Sequence, residues 1–119
     1  MRIKFALWIL LISTISCAGP YLRNDDGTKV NLGIHSEFEV ILYGEGQSNF
    51  SWGLSQPTTF IELQQPVGKI HKDSLMEYIF TFKATAEGME ILRMEYSNGV
   101  ENIDDYELFI SVGTLGTIL

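Results

Sequence analysis

Segments in which polar and apolar residues alternate recur along this sequence, and they constrain its fold more than any other feature. The clearest is Glu77–Ala84, where Tyr78, Phe80, Phe82 and Ala84 share one face and polar or charged residues share most of the other. Successive side chains of a β-strand point to opposite faces of a sheet, so this period of two predicts a half-buried strand.

The same period predicts further strands, separated by residues typical of turns. Their apolar positions are Phe38, Val40 and Leu42; Phe50, Trp52 and Leu54; Phe60 and Ile61; Leu92, Met94 and Tyr96; and Tyr106, Leu108, Ile110 and Val112. Gly/Pro-containing stretches lie between them, and Asn98-Gly99 is a strong hairpin signal. We predict an all-β, immunoglobulin-like β-sandwich of about six to eight short antiparallel strands. The stretch Gln64–Ser74, with Pro66 and Gly68, is predicted to be a loop.

Residues 1–17 have the layout of a signal peptide. Arg2 and Lys4 supply a positive start, and Phe5–Ile12 is an unbroken apolar run. A membrane-spanning helix needs about 20 apolar residues, so this run is too short to be one. We therefore expect an exported protein.

The site of cleavage determines what the exported protein becomes. Thr14–Cys17 is similar to a bacterial lipobox, and Cys17 is the only cysteine of the chain. Lipidation of Cys17 would make the protein a lipoprotein of the bacterial cell envelope, and the lipid would be its only contact with a membrane. Cleavage after Ala18 also satisfies the small-x-small rule and would give a secreted or periplasmic protein.

The remaining residues suit one domain. We predict a tether at 18–30, a β-sandwich at 31–113 and a C-terminal tail at 114–119. The formal net charge is −7, and removal of Arg2 and Lys4 with the leader takes it to −9. Such an acidic domain should repel nucleic acid, because phosphate binding needs clustered Lys and Arg. We expect a monomer.

Few residues in the sequence could support catalysis. His35 and His71 are the only histidines, they lie in different predicted loops, and no second cysteine is present. No acidic pair has the spacing of a calcium loop. Trp52, inside an alternating strand, is predicted to be a core residue. We predict a protein that is not an enzyme, has no catalytic residues and needs no metal or other cofactor.

Four segments together resemble the chagasin-type inhibitors of papain-like cysteine peptidases. They are Phe38–Leu42, Phe50–Trp52, Phe80–Gly88 and Leu92–Tyr96, and the last two resemble the family's F-x-F-x-A…G…L-x-Y segment at close to its usual spacing. The resemblance extends over most of residues 30–112. It implies an inhibitor that blocks the cleft of a papain-like peptidase with three loops at one end of a sandwich, whose rigidity limits the entropy lost on docking.

The resemblance also implies which residues bind the partner. We predict Gln47, Ser48 and Asn49 in the first loop, Gly68, Lys69 and His71 in the second, and Asn98, Gly99 and Val100 in the third. All three loops differ from the family's motifs: E-G-Q-S-N stands where N-P-T-T-G is usual, the second loop has a single glycine, and the third lacks Arg, Pro and an aromatic residue. The alternative is a non-inhibitory cell-envelope module that binds another protein or a glycan.

Overall fold

The computed structural model describes residues 20–113, which form seven β-strands and a short 3₁₀ turn at Arg23–Asp25. The strands are β1 Lys29–Gly33, β2 Glu37–Glu45, β3 Ser51–Leu54, β4 Ile61–Lys72, β5 Leu75–Ala84, β6 Gly88–Ser97 and β7 Asn102–Gly113. In this part of the chain no helix is long and apolar enough to cross a membrane. The predicted signal segment, with Cys17, and the predicted tail at 114–119 lie outside the described residues.

The strands form two sheets, which confirms the predicted β-sandwich. One sheet has the order β1-β7-β6-β3 and the other has the order β2-β5-β4. Two details differ from the prediction. Strand β1 runs parallel to β7, while the other pairings among the seven strands are antiparallel. Strands β4 and β7 are not short either, since each spans 12 residues.

The alternating apolar residues form the core between the sheets. Phe38, Val40, Leu42, Phe82, Leu92, Tyr106 and Leu108 are fully buried, and Trp52 is 6% exposed. The predictions from the period of two, including Trp52 as a core residue, are confirmed at these positions. Burying each large apolar side chain contributes about 1.5–3 kcal/mol, so this shared face provides most of the driving force for folding.

Residues 20–30, predicted to be part of a tether, instead pack against the sandwich. The Tyr21 N–H donates to the Glu39 carbonyl, and its carbonyl accepts from the Ile41 N–H, both at 2.9 Å. The Tyr21 ring lies edge-on to Phe38, with 5.9 Å between ring centroids. Past the 3₁₀ turn the chain joins the other sheet as β1. The sequence predicts a tether here because the segment is polar and rich in Gly, Pro and Asp, and the contact of Tyr21 with β2 leaves no local pattern.

The six connections between strands divide equally between the two ends of the sandwich. At one end, here called the loop end, lie the connections 46–50, 73–74 and 98–101. At the other, here called the base end, lie 34–36, 55–60 and 85–87. The pairs Glu45↔Leu75 and Ser51↔Ser97 show that the first three connections emerge side by side.

Candidate functional site

The first connection of the loop end contains the predicted residues Gln47, Ser48 and Asn49. Gln47 and Asn49 are exposed, while Ser48 is half-buried. The Ser48 Oγ accepts a hydrogen bond from the Phe50 N–H at 3.0 Å, which closes a small local turn. The Ser48 hydroxyl therefore stabilises the local turn of the loop. The exposed side chains of Gln47 and Asn49 on either side of it can contact a partner.

The second connection is much shorter than predicted. Gly68, Lys69 and His71 do not lie in a loop: they belong to β4 and pair with Ile79, Tyr78 and Met76 of β5. The turn itself is only Asp73-Ser74, with Asp73 at φ 54°. Pro66 is tolerated because β4 is an edge strand and its pairing is irregular between Gln64 and Gly68.

The third connection contains Asn98, Gly99 and Val100, as predicted. The Asn98 Oδ1 accepts from the backbone N–H groups of Val100 at 2.8 Å and Glu101 at 2.7 Å. Gly99 has φ 95°, a conformation that favours glycine. These bonds fix a tight tip on which Val100 is 92% exposed.

The first two connections touch each other. The Gly46 N–H donates to the Ser74 carbonyl at 2.8 Å. The His71 imidazole lies so close to Gly46 that a Cβ there would overlap it. Glu45, Gln47, Ser74 and Leu75 line a shallow recess between the two connections. Of the second group of predicted residues, the structure therefore places His71 beside the first connection, while Gly68 and Lys69 lie further along β4.

A cluster of aromatic residues supports the first connection from below. The Trp52 Nε1–H donates to the Tyr43 carbonyl at 3.0 Å, and the Tyr96 hydroxyl accepts from the Glu45 N–H at 2.9 Å. The Tyr96 ring lies 5.3 Å from Trp52 and 5.7 Å from Phe50, measured between ring centroids. The first loop therefore leaves β2 from an anchored position, which limits the entropy that docking would cost.

Gly44 is required by this packing, and it is not among the site residues predicted from the sequence. A Cβ at this position would lie 2.7 Å from the Tyr96 ring and hydroxyl. The only signal in the sequence is a glycine at an inward position of an otherwise apolar alternation, which marks a close approach of another group.

The loop end has no arrangement suited to catalysis. His35 lies at the base end, where its backbone N–H donates to the Ala84 carbonyl. The two histidines are therefore at opposite ends of the sandwich. Residues 20–113 contain no group of three or more His, Cys, Asp or Glu that could hold a metal ion. Burial raises the pKa of the Tyr78 phenol, with a smaller contribution from Tyr96, so this group is neutral at pH 7. The exposed tips, polar except for Val100, suit binding to a surface.

The comparisons with known proteins agree with this fold. No protein-family model matches the sequence, and no curated protein matches it. Among solved structures it is similar to EhICP2, a cysteine protease inhibitor from Entamoeba histolytica. The TM-score is 0.73 at 12% identity, over 83% of this chain and 98% of that one.

Two further structures are similar over nearly their whole length. Amebosin has a TM-score of 0.64 at 18% identity, over 80% of this chain and 97% of that one. PbICP-C, solved in complex with falcipain-2, has a TM-score of 0.54 at 9% identity, over 82% and 99%. The chain therefore has a chagasin-like β-sandwich fold, shared with a solved cysteine protease inhibitor.

Proposed function

We propose that this protein binds and inhibits papain-like cysteine peptidases through the three connections of its loop end. One observation carries the proposal: Gln47–Asn49, Asp73-Ser74 and Asn98–Val100 emerge at the same end of a fold shared with a cysteine protease inhibitor. A related fold bound to falcipain-2 supports a peptidase as the partner.

The geometry of the loop end suits a rigid inhibitor. The bonds that fix it, from Tyr96, Trp52, Ser74 and Asn98, all involve the backbone of the connections or of the strands beside them. The exposed side chains at the tips are therefore presented without a large loss of entropy on binding. Nothing in the arrangement requires a covalent step, so inhibition should be reversible.

The test is the hydrolysis of a fluorogenic peptide by papain at increasing concentrations of the protein. We expect dose-dependent, reversible inhibition of papain and none of trypsin. The double variant Gln47→Ala/Asn49→Ala should weaken inhibition about tenfold, equivalent to about 1.4 kcal/mol of binding energy. Gln56→Ala is the matched control, because Gln56 is an exposed glutamine of the base end. No inhibition of a panel of papain-like peptidases at micromolar protein would contradict the proposal.

We also propose that the protein is exported and anchored by a lipid on Cys17, with cleavage after Ala18 as the alternative. The support is the basic, apolar and small-residue order of residues 1–18. In a bacterial host, the wild-type protein should be found in the membrane fraction and Cys17→Ser outside it. Equal release of both proteins into the soluble fraction would favour the alternative.

A second function, a non-inhibitory envelope module that binds another protein or a glycan, is favoured by the third connection. Its tip offers one exposed apolar side chain, Val100, and neither arginine nor an aromatic residue, the types that most often contribute binding energy. Pull-down of an envelope protein or glycan that is lost when the three connections are exchanged, by a protein that does not inhibit papain, would favour this second function.

A further inference from the structure

The outer face of the three-stranded sheet has an apolar area beside the loop end. Tyr43, Ile70 and Leu75 are exposed by 47%, 43% and 46%, and they belong to three neighbouring strands. Ile41 and Ile79, paired with each other, continue the area on the same face. We call these five residues the outer patch.

The rest of this face has a different composition. Towards the base end, the register brings Glu37 and Glu62 to either side of Lys83, and Glu39 and Gln64 to either side of Thr81. A sheet face in contact with water is normally polar, and the half near the base end follows that rule. The exposed apolar residues of this face are thus confined to the half that borders the loop end, where Leu75 lies between the charged residues Glu45 and Lys72. An exposed apolar area of this kind marks an interaction surface.

A buried carboxylate lies in the middle of the outer patch. Glu77 is 8% exposed although it faces outward, and the Tyr43 hydroxyl donates to its Oε2 at 2.9 Å. The Lys72 ammonium lies 3.4 Å from its Oε1. A buried charge needs such partners. The hydrogen bond to Glu77 holds the Tyr43 ring in one orientation at the surface. The same hydrogen bond raises the pKa of the Tyr43 phenol.

The outer patch is continuous with the loop end. Leu75 directly follows the turn residue Ser74, and both line the recess that also contains Gln47. A partner large enough to cover the three connections and Leu75 would also reach Tyr43 and Ile70 on the adjoining face. A standard interface takes about 20–30 residues a side, which is more than the three connections contain.

The outer patch also supplies what the connections lack. Binding energy concentrates on tyrosine, tryptophan and arginine, and the exposed tips at 46–49, 73–74 and 98–101 have none of them. Tyr43 is an exposed aromatic side chain with a fixed orientation, so docking onto it costs little entropy. We propose that the outer patch is a second contact surface for the same papain-like peptidase, and that it binds an apolar surface beside the peptidase cleft. This inference rests on the proposed function.

The test compares apolar-to-glutamate substitutions on the two sheets. Ile70→Glu should raise the inhibition constant for papain at least about tenfold, because it puts an unpaired charge into a desolvated contact. The matched control is Met89→Glu, which makes the same change at a 76% exposed residue of the other sheet. It should leave the constant within about twofold of wild type. Leu75→Ser, without a new charge, is the second variant, and thermal unfolding of each protein shows that it is folded.

The outcomes distinguish inhibition through the loop end from the additional contact through the outer patch. Inhibition by the wild-type protein that Ile70→Glu and Leu75→Ser leave unchanged would overturn the outer patch and leave the proposed function standing. No inhibition by the wild-type protein would overturn both. A wild-type dimer that Ile70→Glu converts to a monomer, with unchanged inhibition, would assign the outer patch to a second copy of this chain and overturn the peptidase as its occupant.

Discussion

The two ends of the sandwich each have three connections, but they are held in different ways. At the base end a distant side chain holds the last part of the connection 55–60: the Glu90 carboxylate accepts from the N–H groups of Thr59, Phe60 and the adjoining Ile61 at 2.7–3.2 Å. At the loop end the long-range contacts reach only the first and last residues of the connections, and the tips are held by local turns. The base end is built for stability, and the loop end leaves side chains free for a partner.

The two ends should differ most in the loss of stability when a glycine with positive φ is replaced by alanine. Gly88, at the base end, has φ 154°, and a Cβ there would overlap the Phe60 ring; Gly99, at the loop end, has φ 95° and no atom near its Cβ position. Gly88→Ala should lower the free energy of unfolding by about 3 kcal/mol, because backbone strain and overpacking add. Gly99→Ala should cost about 1 kcal/mol, because only the strain applies.

Urea unfolding followed by tryptophan fluorescence measures both glycine variants. Equal losses in the free energy of unfolding would show that packing does not distinguish the two ends. A larger effect of Gly88→Ala than of Gly99→Ala on papain inhibition, in folded protein, would show that the base end and not the loop end contributes to binding.

The next largest loss of stability should come from removing the Glu90 carboxylate, which binds the backbone at the base end. In Glu90→Gln the amide has one oxygen acceptor and no charge, so part of the bonding to three backbone N–H groups is lost. We expect a loss of about 2 kcal/mol in the free energy of unfolding, since hydrogen bonds to charged groups contribute about 1.5–3 kcal/mol. Glu87→Gln, an exposed glutamate of the 85–87 connection, is the control and should change little. A Glu90→Gln protein as stable as the control would mean that the Glu90 carboxylate does not stabilise the 55–60 connection.

The sequence predicted most of the strands because their alternation reflects burial in the core. It missed the second half of β4 for a physical reason. Beyond Gln64, Val67 packs against the core, but the next inward positions are Lys69 and His71, near the open end of the sandwich, and the outward position between them is Ile70. The hydrophobic alternation is therefore reversed, and with Pro66 and Gly68 it resembled a loop.

The candidate site was predicted in part. The positions of the first and third connections followed from turn residues close in sequence. The contact of His71 with Gly46 and the bond from Tyr43 to Glu77 depend on how strands far apart in sequence are aligned. A single sequence does not specify that alignment, so the outer patch could not be found from the pattern alone.

The smallest expected effect concerns the aromatic cluster where the loop end meets the core. Tyr96→Phe keeps the ring beside Gly44 and removes only the hydroxyl that accepts from the Glu45 N–H. The unfolding free energy should fall by about 1 kcal/mol, as for one lost hydrogen bond. Hydrogen exchange at the Glu45 amide should become severalfold faster, while the Gly46 amide, bonded to the Ser74 carbonyl, keeps its protection and is the internal control. If papain inhibition weakens along with the faster exchange, the rigidity of the first connection contributes to binding. If exchange speeds up and inhibition does not change, the loop end tolerates a mobile first connection, and its difference from the base end lies in exposure alone.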